Sequence, residues 1–586
     1  MRSETLGDNS YKIDCMSISV SGFSDLDYNG LYAIPLGGQS ELGLVIWLFI
    51  HQGQILIVDA GASYPARRLP GVDLILPNTT FLETNESHIL AQVVTNGHEE
   101  HLGALTYLLQ HVKLPQILCP RFVGALIDQN IFDLYGTGKA GKPPVEICDL
   151  KKEYKVGPFV IEFIESNNSI ADACALRISC QAGTVLYTSS FKIDQTPVDG
   201  GMLDVGRLSQ IGDEGVSLLV SCSTNVEGEG YSASEKVVAK TIEKVSLSSK
   251  GRLIVVMPGT NTHRLQVLFD VAAKTKRKVY LVGESLHKVA VSAAISGHLI
   301  YDRSIEGDVS ALDNASDRDV LVITSSKEAD PINVLEALAE GEHDVISLKS
   351  GDSLIFSSDV VPGQARRMAH ILDNLLIQAV NINWGAKQKV HVSRYGAKEE
   401  LKLMLSIAKP RYFAPAIGEA RHIAQHGDLG VYFNLDEKSV FNLQNGDILE
   451  IKNGMARTVG QIESSAVMFN REQGERVTTA SVKERQALSL EGVLTVALTL
   501  DSQGIVSGPS IECGAAGFLL TNDWIKVQED LKSTVLDTVV RIAGERQGDE
   551  RDSGPYLRSA IREAVVKVLR NKLSAKPTVQ VLVHQI

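Results

Sequence analysis

The stretch Thr95-Asn96-Gly97-His98-Glu99-Glu100-His101 carries the densest set of chemically versatile side chains in this chain. It follows Ile89–Val94, an apolar run that reads as a buried strand, and leads into a helix-like stretch from Leu102 to Gln110. A polar cluster between a strand end and a helix is a usual place for a site in an α/β protein. His98, Glu100 and His101 could converge on one ion, and imidazole nitrogen with carboxylate oxygen suits zinc or manganese. Equally, these residues could be a solvated loop that caps the following helix.

The surrounding text supplies a scaffold for such a site. Residues 1–28 form a polar N-terminal extension with no core pattern. Residues 29–215 are dominated by short strands: Leu44–Ile50 and Ile55–Val58 around the turn His51–Gln54, then Phe159–Phe163, Ala175–Ser179 and Thr184–Tyr187. Residues 216–380 alternate short apolar strands (Leu218–Val220, Leu253–Val256, Val279–Val282, Val320–Ile323) with helical stretches such as Ser234–Val245, capped by Ser232, and Arg264–Ala273. This alternation predicts a parallel α/β unit. Strand text resumes over Leu354–Ser357, Ala379–Asn383, Lys389–Ser393, Val440–Leu443 and Ile448–Ile451, with a helix at Glu399–Ala408, and 381–455 completes the first domain. Residues 456–482 are polar and read as a linker. Residues 483–586 predict a small α+β domain, with strands Val493–Leu500 and Val579–Val583, helices Val527–Ala543 and Tyr556–Asn571, and an acidic loop Gln547–Asp552.

Composition narrows the function classes. A chain of 586 residues with 44 % hydrophobic and 22 % charged residues builds several cores rather than one, and is not intrinsically disordered. The 49 glycines suggest many tight turns between strands. A net charge of −13 argues against a protein coated in basic residues that grips nucleic acid non-specifically, but is compatible with a local positive channel. The cysteines, at 15, 119, 148, 174, 180, 222 and 513, form no Cys-x-x-Cys pair, which predicts buried thiols in a reducing compartment. No basic region followed by an apolar run opens the chain, and Leu44–Ile50 is too short to span a bilayer. The expected setting is cytoplasmic, with a plastid as the lesser alternative, and no membrane span is expected.

A further set of motifs carries a resemblance. Leu36-Gly37-Gly38 with Glu41-Leu42-Gly43, Ile57-Val58-Asp59-Ala60-Gly61, Gly71-Val72-Asp73, Phe191 to Pro197, Ser223-Thr224-Asn225 and Glu399 to Leu405 occur in an order that generic strand–turn text would not give. From about Ala33 to the C-terminus the chain resembles the ribonuclease J family of the metallo-β-lactamase superfamily, in its β-CASP branch. The resemblance implies an α/β fold: a metallo-β-lactamase αββα sandwich with an inserted β-CASP α/β domain and a small C-terminal α+β domain. It also implies metal-dependent hydrolysis of RNA phosphodiesters, in which two zinc or manganese ions activate water and clamp the attacking and leaving oxygens.

Carried over position by position, the implied metal shell is largely missing. The family's His-x-His-x-Asp-His falls on Asn96, His98, Glu100 and His101. Its later ligand histidine falls on Asn168, its bridging aspartate on Ser190 and its last histidine on Ile417. The aspartate before Ser-Thr-Asn is Cys222, and Ser-Gly-His-Ala becomes Ser393-Arg394-Tyr395-Gly396. Asparagine and serine are weak neutral ligands and isoleucine is none, so the shell does not compensate for desolvating two divalent cations. No cofactor is expected beyond a single zinc or manganese held loosely by His98, Glu100 and His101. Tyr395 could donate a hydrogen bond but is a poor proton shuttle at neutral pH.

RNA contacts implied by the family motifs are Lys192, Asn261, His263, Arg264, Lys327, Arg394 and Arg421, with Lys327 in the altered phosphate loop Thr324–Glu328. His263 and Arg264 could instead stabilise a domain interface, and His422 reads as structural. The leading expectation is a pseudoenzyme: a non-catalytic subunit, scaffold or regulator in RNA processing or another complex, as a homo-oligomer or beside an active paralogue or another protein. Two alternatives stand with it, a weak one-metal RNA nuclease and a metal-free RNA-binding protein.

Overall fold

The computed structural model describes residues 23–586 except 66–68, 136–140, 326–330, 360–363, 502–503, 515–523, 545–553 and 574–576. Most of the N-terminal extension and the acidic loop Gln547–Asp552 therefore lie outside the described residues. The chain divides into two compact units, one of residues 1–64 and 75–467, the other of 65–74 and 468–586.

The first unit contains an eight-stranded and a six-stranded sheet. In the eight-stranded sheet the order is Met455–Gln461, Asp447–Lys452, Leu31–Gly37, Ile46–His51, Gln54–Val58, Ile89–Val93, Ile117–Cys119 and Val145–Ile147. The wholly apolar text around Ile46–His51 has a direct cause, since both faces of this strand are covered. Trp47 and Phe49 point into a core shared with Phe159, Ile161, Leu176 and Val185 of the six-stranded sheet. Ile46, Leu48 and Ile50 point the other way, into a core with Leu105 and Leu108 of the helix Leu105–His111 and Phe122, Val123 and Ile127 of the helix Arg121–Tyr135. The six-stranded sheet runs Tyr412–Ala416, Leu218–Cys222, Gly183–Tyr187, Cys174–Cys180, Phe159–Glu165, Glu153–Val156. Its first three strands are parallel, so their carboxyl ends lie along one edge.

A third sheet in this unit is entirely parallel, in the order Lys278–Val282, Val320–Thr324, Leu253–Val256, Ser353–Phe356, Asn381–Trp384. The helices Glu235–Ser248, Thr262–Thr275 and Glu284–Ser296 contribute Val238, Ile242, Leu265, Leu268 and Leu286 to the core on one side; Pro331–Glu340 and Ala365–Ile377 contribute Leu335, Leu338, Ile371 and Leu375 to a separate core. Sheet membership moves the expected limits of this domain. Leu218–Cys222, assigned by position to the region 216–380, pairs with Gly183–Tyr187 and Tyr412–Ala416, whereas Asn381–Trp384 belongs to the parallel sheet. Doubly buried parallel strands look alike in either sheet, so apolar text alone does not mark the crossing.

Three local expectations are corrected. The cap of Glu235–Ser248 is Ser234, which accepts from the Lys236 N–H, while Ser232 turns to Glu400. Lys389–Ser393 and Val440–Leu443 are not strands; Val390 and Val392 are buried in alternation, but the backbone there has no ladder, and Val440 makes one isolated bridge to Phe413. Residues 456–482 are not a bare linker, because they contain most of the edge strand Met455–Gln461, the strands Val467–Asn470 and Glu475–Arg476, and the start of the helix Thr479–Glu491.

In the second unit, Val493–Asp501 lies between Gly504–Gly514, antiparallel, and Thr578–Gln585, parallel. Leu494, Val496, Leu498 and Leu500 alternate onto one face and pack with Leu531, Val535, Ile561 and Val565 of the helices Trp524–Gly544 and Gly554–Leu573. Among the described residues, no helix is long and apolar enough to cross a membrane, and Cys119, Cys148, Cys174, Cys180 and Cys222 are free thiols.

Candidate functional site

The residues singled out in the loop 95–101 and those implied by the resemblance meet at the carboxyl ends of the strands. Asn96 and His98 follow Ile89–Val93, Asn168 follows Phe159–Glu165, Ser190 follows Gly183–Tyr187, Cys222 ends Leu218–Cys222, and Ile417 follows Tyr412–Ala416. The short helix Glu99–Leu102 is pulled onto the sheet by its own backbone, since Val45 N–H donates to Glu100 O at 3.0 Å and Ala60 N–H to His101 O at 2.7 Å. Gly61 permits this approach, because a Cβ there would lie 1.7 Å from the Glu100 carbonyl oxygen. Asp59, Ser189 and Ile417 have φ of 60°, 56° and 54°, in the left-handed region that side chains disfavour. Such strain typically gathers at functional sites.

The side chains form a closed polar network. Asp59, fully buried at the end of Gln54–Val58, accepts from Thr95 N–H at 2.8 Å, Thr95 Oγ1 at 2.9 Å, Tyr187 OH at 2.9 Å and His101 Nδ1 at 2.7 Å. The other His101 nitrogen lies 2.7 Å from Ser190 Oγ, which itself donates to Glu100 Oε1 at 2.9 Å. A protonated His101 would donate from Nδ1 to Asp59 and from Nε2 to Ser190 Oγ, whose own proton is then free for Glu100. Burial opposes that charge, but Asp59 and Glu100 outweigh it and raise the His101 pKa to about 9. On Glu100, burial pushes the pKa up, yet Arg394 and His101 hold the carboxyl well below its usual range.

Arg394 supplies the second cation. Its Nη2 donates to Glu100 Oε2 at 2.9 Å and to Tyr395 OH at 2.6 Å, and that hydroxyl donates onward to Glu100 Oε2 at 2.6 Å. Burial and the Glu100 charge keep Tyr395 protonated even though Arg394 opposes them, which suits its role as donor. His98 behaves differently from His101. Its Nε2 lies 2.9 Å from Asn168 Oδ1 and its Nδ1 2.8 Å from Thr260 Oγ1. Asn168 Nδ2 donates to Ser190 O, which fixes Oδ1 as the acceptor. His98 is therefore assigned as the neutral tautomer with its proton on Nε2, and burial together with the Arg394 charge holds its pKa well below the ordinary value.

The remaining positions of the expected shell offer little to a cation. Asn96 accepts from the His98 N–H at 2.9 Å and donates to Ser189 Oγ at 3.1 Å. Burial raises the Cys222 thiol to about 11, and Ile417 is 2 % exposed with no donor atom. Among the described residues, no group of three or more His, Cys, Asp or Glu side chains is arranged to hold a metal ion.

The residues expected to touch RNA separate into different environments. Lys192 is buried, its Nζ donating to Ala233 O at 2.7 Å and Ser393 O at 3.3 Å. Arg264 is fully buried and binds Glu235 and Ser357 O, so its guanidinium braces the fold instead of facing a cleft. Asn261 caps Thr262–Thr275, and His263 Nε2 sits 3.0 Å from Asp199 Oδ2. Arg421 is exposed and paired with Glu227 and Glu419. Arg394 remains about one-third exposed (31 %). Lys327 lies outside the described residues. His422 sits in the first turn of Ala420–Tyr432, accepting from the Glu419 N–H at 3.3 Å. Sequence reasoning gave no role to Asp59, Thr95, Tyr187 or Thr260; a polar residue closing an apolar strand was the available signal for Asp59.

Residues 250–375 match the profile described as Ribonuclease J, beta-CASP domain, and residues 480–586 that of the Ribonuclease J C-terminal domain. The chain is 30 % identical over 566 residues to the Ribonuclease J of Synechocystis sp., covering 94 % of this chain and 86 % of that protein. It is 32 % identical over 554 residues to that of Corynebacterium glutamicum (93 % and 73 %) and 27 % identical over 555 residues to Ribonuclease J2 of Bacillus subtilis (94 % and 98 %). A solved protein of unknown function from Enterococcus faecalis aligns with 72 % of this chain and 100 % of its own at 11 % identity, with a TM-score of 0.49.

Proposed function

We propose that this chain, which belongs to the ribonuclease J family, is a non-catalytic member that serves as a subunit, scaffold or regulator in RNA processing or another complex. In this reading the eight- and six-stranded sheets are the metallo-β-lactamase αββα sandwich, and the parallel five-stranded sheet is the inserted β-CASP domain. One observation carries the proposal: both oxygens of Glu100 and both ring nitrogens of His98 and His101 are already engaged by protein partners. Asn96, Asn168 and Ser190 offer only weak neutral oxygens, Ile417 offers no donor atom, and the Arg394 guanidinium stands beside Glu100 where a cation would sit. The residues present do not fit a two-ion centre, and no hydrolytic step is derived through one. The retained C-terminal domain supports a role in assembly, with another copy, an active paralogue or a different protein.

The test is metal analysis of the purified protein together with an RNA degradation assay in added manganese or zinc. The expected result is far less than one ion per chain and no turnover. Salt-sensitive RNA binding without turnover would fit the same reading. Two stoichiometric ions, or metal-dependent cleavage abolished by changing His98 and His101 to alanine, would overturn it.

A further inference from the structure

We propose that the eroded centre is a metal-free ionic brace, in which Arg394 supplies the positive charge that neutralises Glu100 and ties the two lobes of the first unit together. This rests on the non-catalytic reading but goes beyond it, because it gives the altered residues a positive role. The contacts pair each carboxylate with a basic side chain: Asp59 accepts from His101 Nδ1 at 2.7 Å and Glu100 from Arg394 Nη2 at 2.9 Å. Glu100 is 8 % exposed and Asp59 fully buried, so without these partners each would be a desolvated, uncompensated charge.

The brace joins segments far apart in sequence. Arg394 reaches Glu100 from the segment that leads out of the parallel sheet, 294 residues away. Thr260, beside the start of Thr262–Thr275 in the same lobe, contacts His98 Nδ1 at 2.8 Å. From the sandwich side, Asn168 and Ser190 close the network onto the two histidines. A guanidinium suits this position because it is always charged and its planar fork engages the carboxylate and the tyrosine hydroxyl together. It also stacks over the Tyr395 ring, 4.8 Å from the centroid, which fixes its direction of approach. Lobe geometry then depends on a covalently attached cation and is indifferent to chelators.

The test is a double-mutant cycle on the full chain with Arg394→Met and Glu100→Gln, read as thermal midpoints in EDTA and in manganese. The wild-type midpoint should be the same in both conditions. Arg394→Met should lower it by about 4 °C or more, because it removes the permanent cation from a buried carboxylate. The double variant should recover at least about half of that loss, since it removes the orphaned charge as well. Additive losses, an Arg394→Met midpoint equal to wild type, or a wild-type midpoint raised by manganese would each overturn the brace. If Arg394→Met does not fold, folding of the double variant supports the proposal and its failure refutes it. Catalysis is a separate readout: RNA cleavage by the wild type would overturn the non-catalytic reading while the cycle still decided the brace.

Discussion

Replacing His101 with glutamine removes a buried group whose raised pKa should tie stability to pH near neutrality. The fold raises His101 from its ordinary 6.5 to about 9. A raised folded-state pKa means that the stabilisation is fully present below pH 6.5 and is lost as pH climbs through 9. At 1.36 kcal/mol per unit, the shift corresponds to about 3 kcal/mol, or roughly 1.4 kcal/mol for each pH unit inside that window. His101 is fully buried, so solvent screening does not reduce the figure much. Glu100 has the opposite sign: its lowered pKa gives stability that is present above its ordinary 4.5 and lost as pH falls, outside the window. His298 is also raised, chiefly by its bond to Asp172 with burial opposing, and adds a slope of the same sign, but it remains in the variant and cancels in the comparison. The assay is urea denaturation of the wild type and of His101→Gln at several pH values between 6.5 and 8.5. His98 and His426, with lowered pKa values, add slopes of the opposite sign but are common to both proteins, so the stability advantage of the wild type over the variant should be largest at pH 6.5 and shrink as pH rises to 8.5. Identical slopes would refute the imidazolium assignment, as would a ring titration by NMR that finds His101 neutral at pH 7.

Two other outcomes follow from the same network. Thr260→Val removes the hydroxyl facing His98 Nδ1 and should cost about 1–2 kcal/mol in urea unfolding, with Thr260→Ser close to wild type. Asn96→His combined with Ser190→Asp should yield no manganese-dependent RNA cleavage above a blank, because Asn168, Ile417 and the Arg394–Glu100 pair still occupy the centre.

Much of the scaffold could be read from residue order because its strands are buried on both faces. Ile46–His51, Leu253–Val256 and Val320–Thr324 are near-continuous apolar runs, and such runs stand out from any surface segment. The edge strand Met455–Gln461 was hidden for the converse reason. Most of its residues are partly or fully exposed, it carries Arg457, Thr458 and Gln461, and its text is that of a linker. At the site, the loop 95–101 was visible from residue type and spacing, whereas the pairing of Glu100 with Arg394 was not, since no local pattern links residues 294 apart. Arg264 and Lys192 mislead for a related cause: a basic residue in a cleft motif carries the same letter whether it faces solvent or a buried glutamate or carbonyl, and only packing distinguishes them.

The substitutions make more sense as a set than one at a time. Against the pattern that the resemblance implies, Ser190 and Cys222 stand where carboxylates are expected and Arg394 is an added cation, so all three differences move the local charge in the positive direction. A centre that lost two divalent ions while keeping its carboxylates would hold several buried like charges, which is strongly unfavourable. Here the two remaining carboxylates, Asp59 and Glu100, each have a cationic partner within 2.9 Å. Ile417 retains a left-handed backbone, with φ of 54°, where a β-branched residue is unfavourable. The two carboxylates thus stand in pairs with His101 and Arg394, which is the arrangement the proposed brace requires.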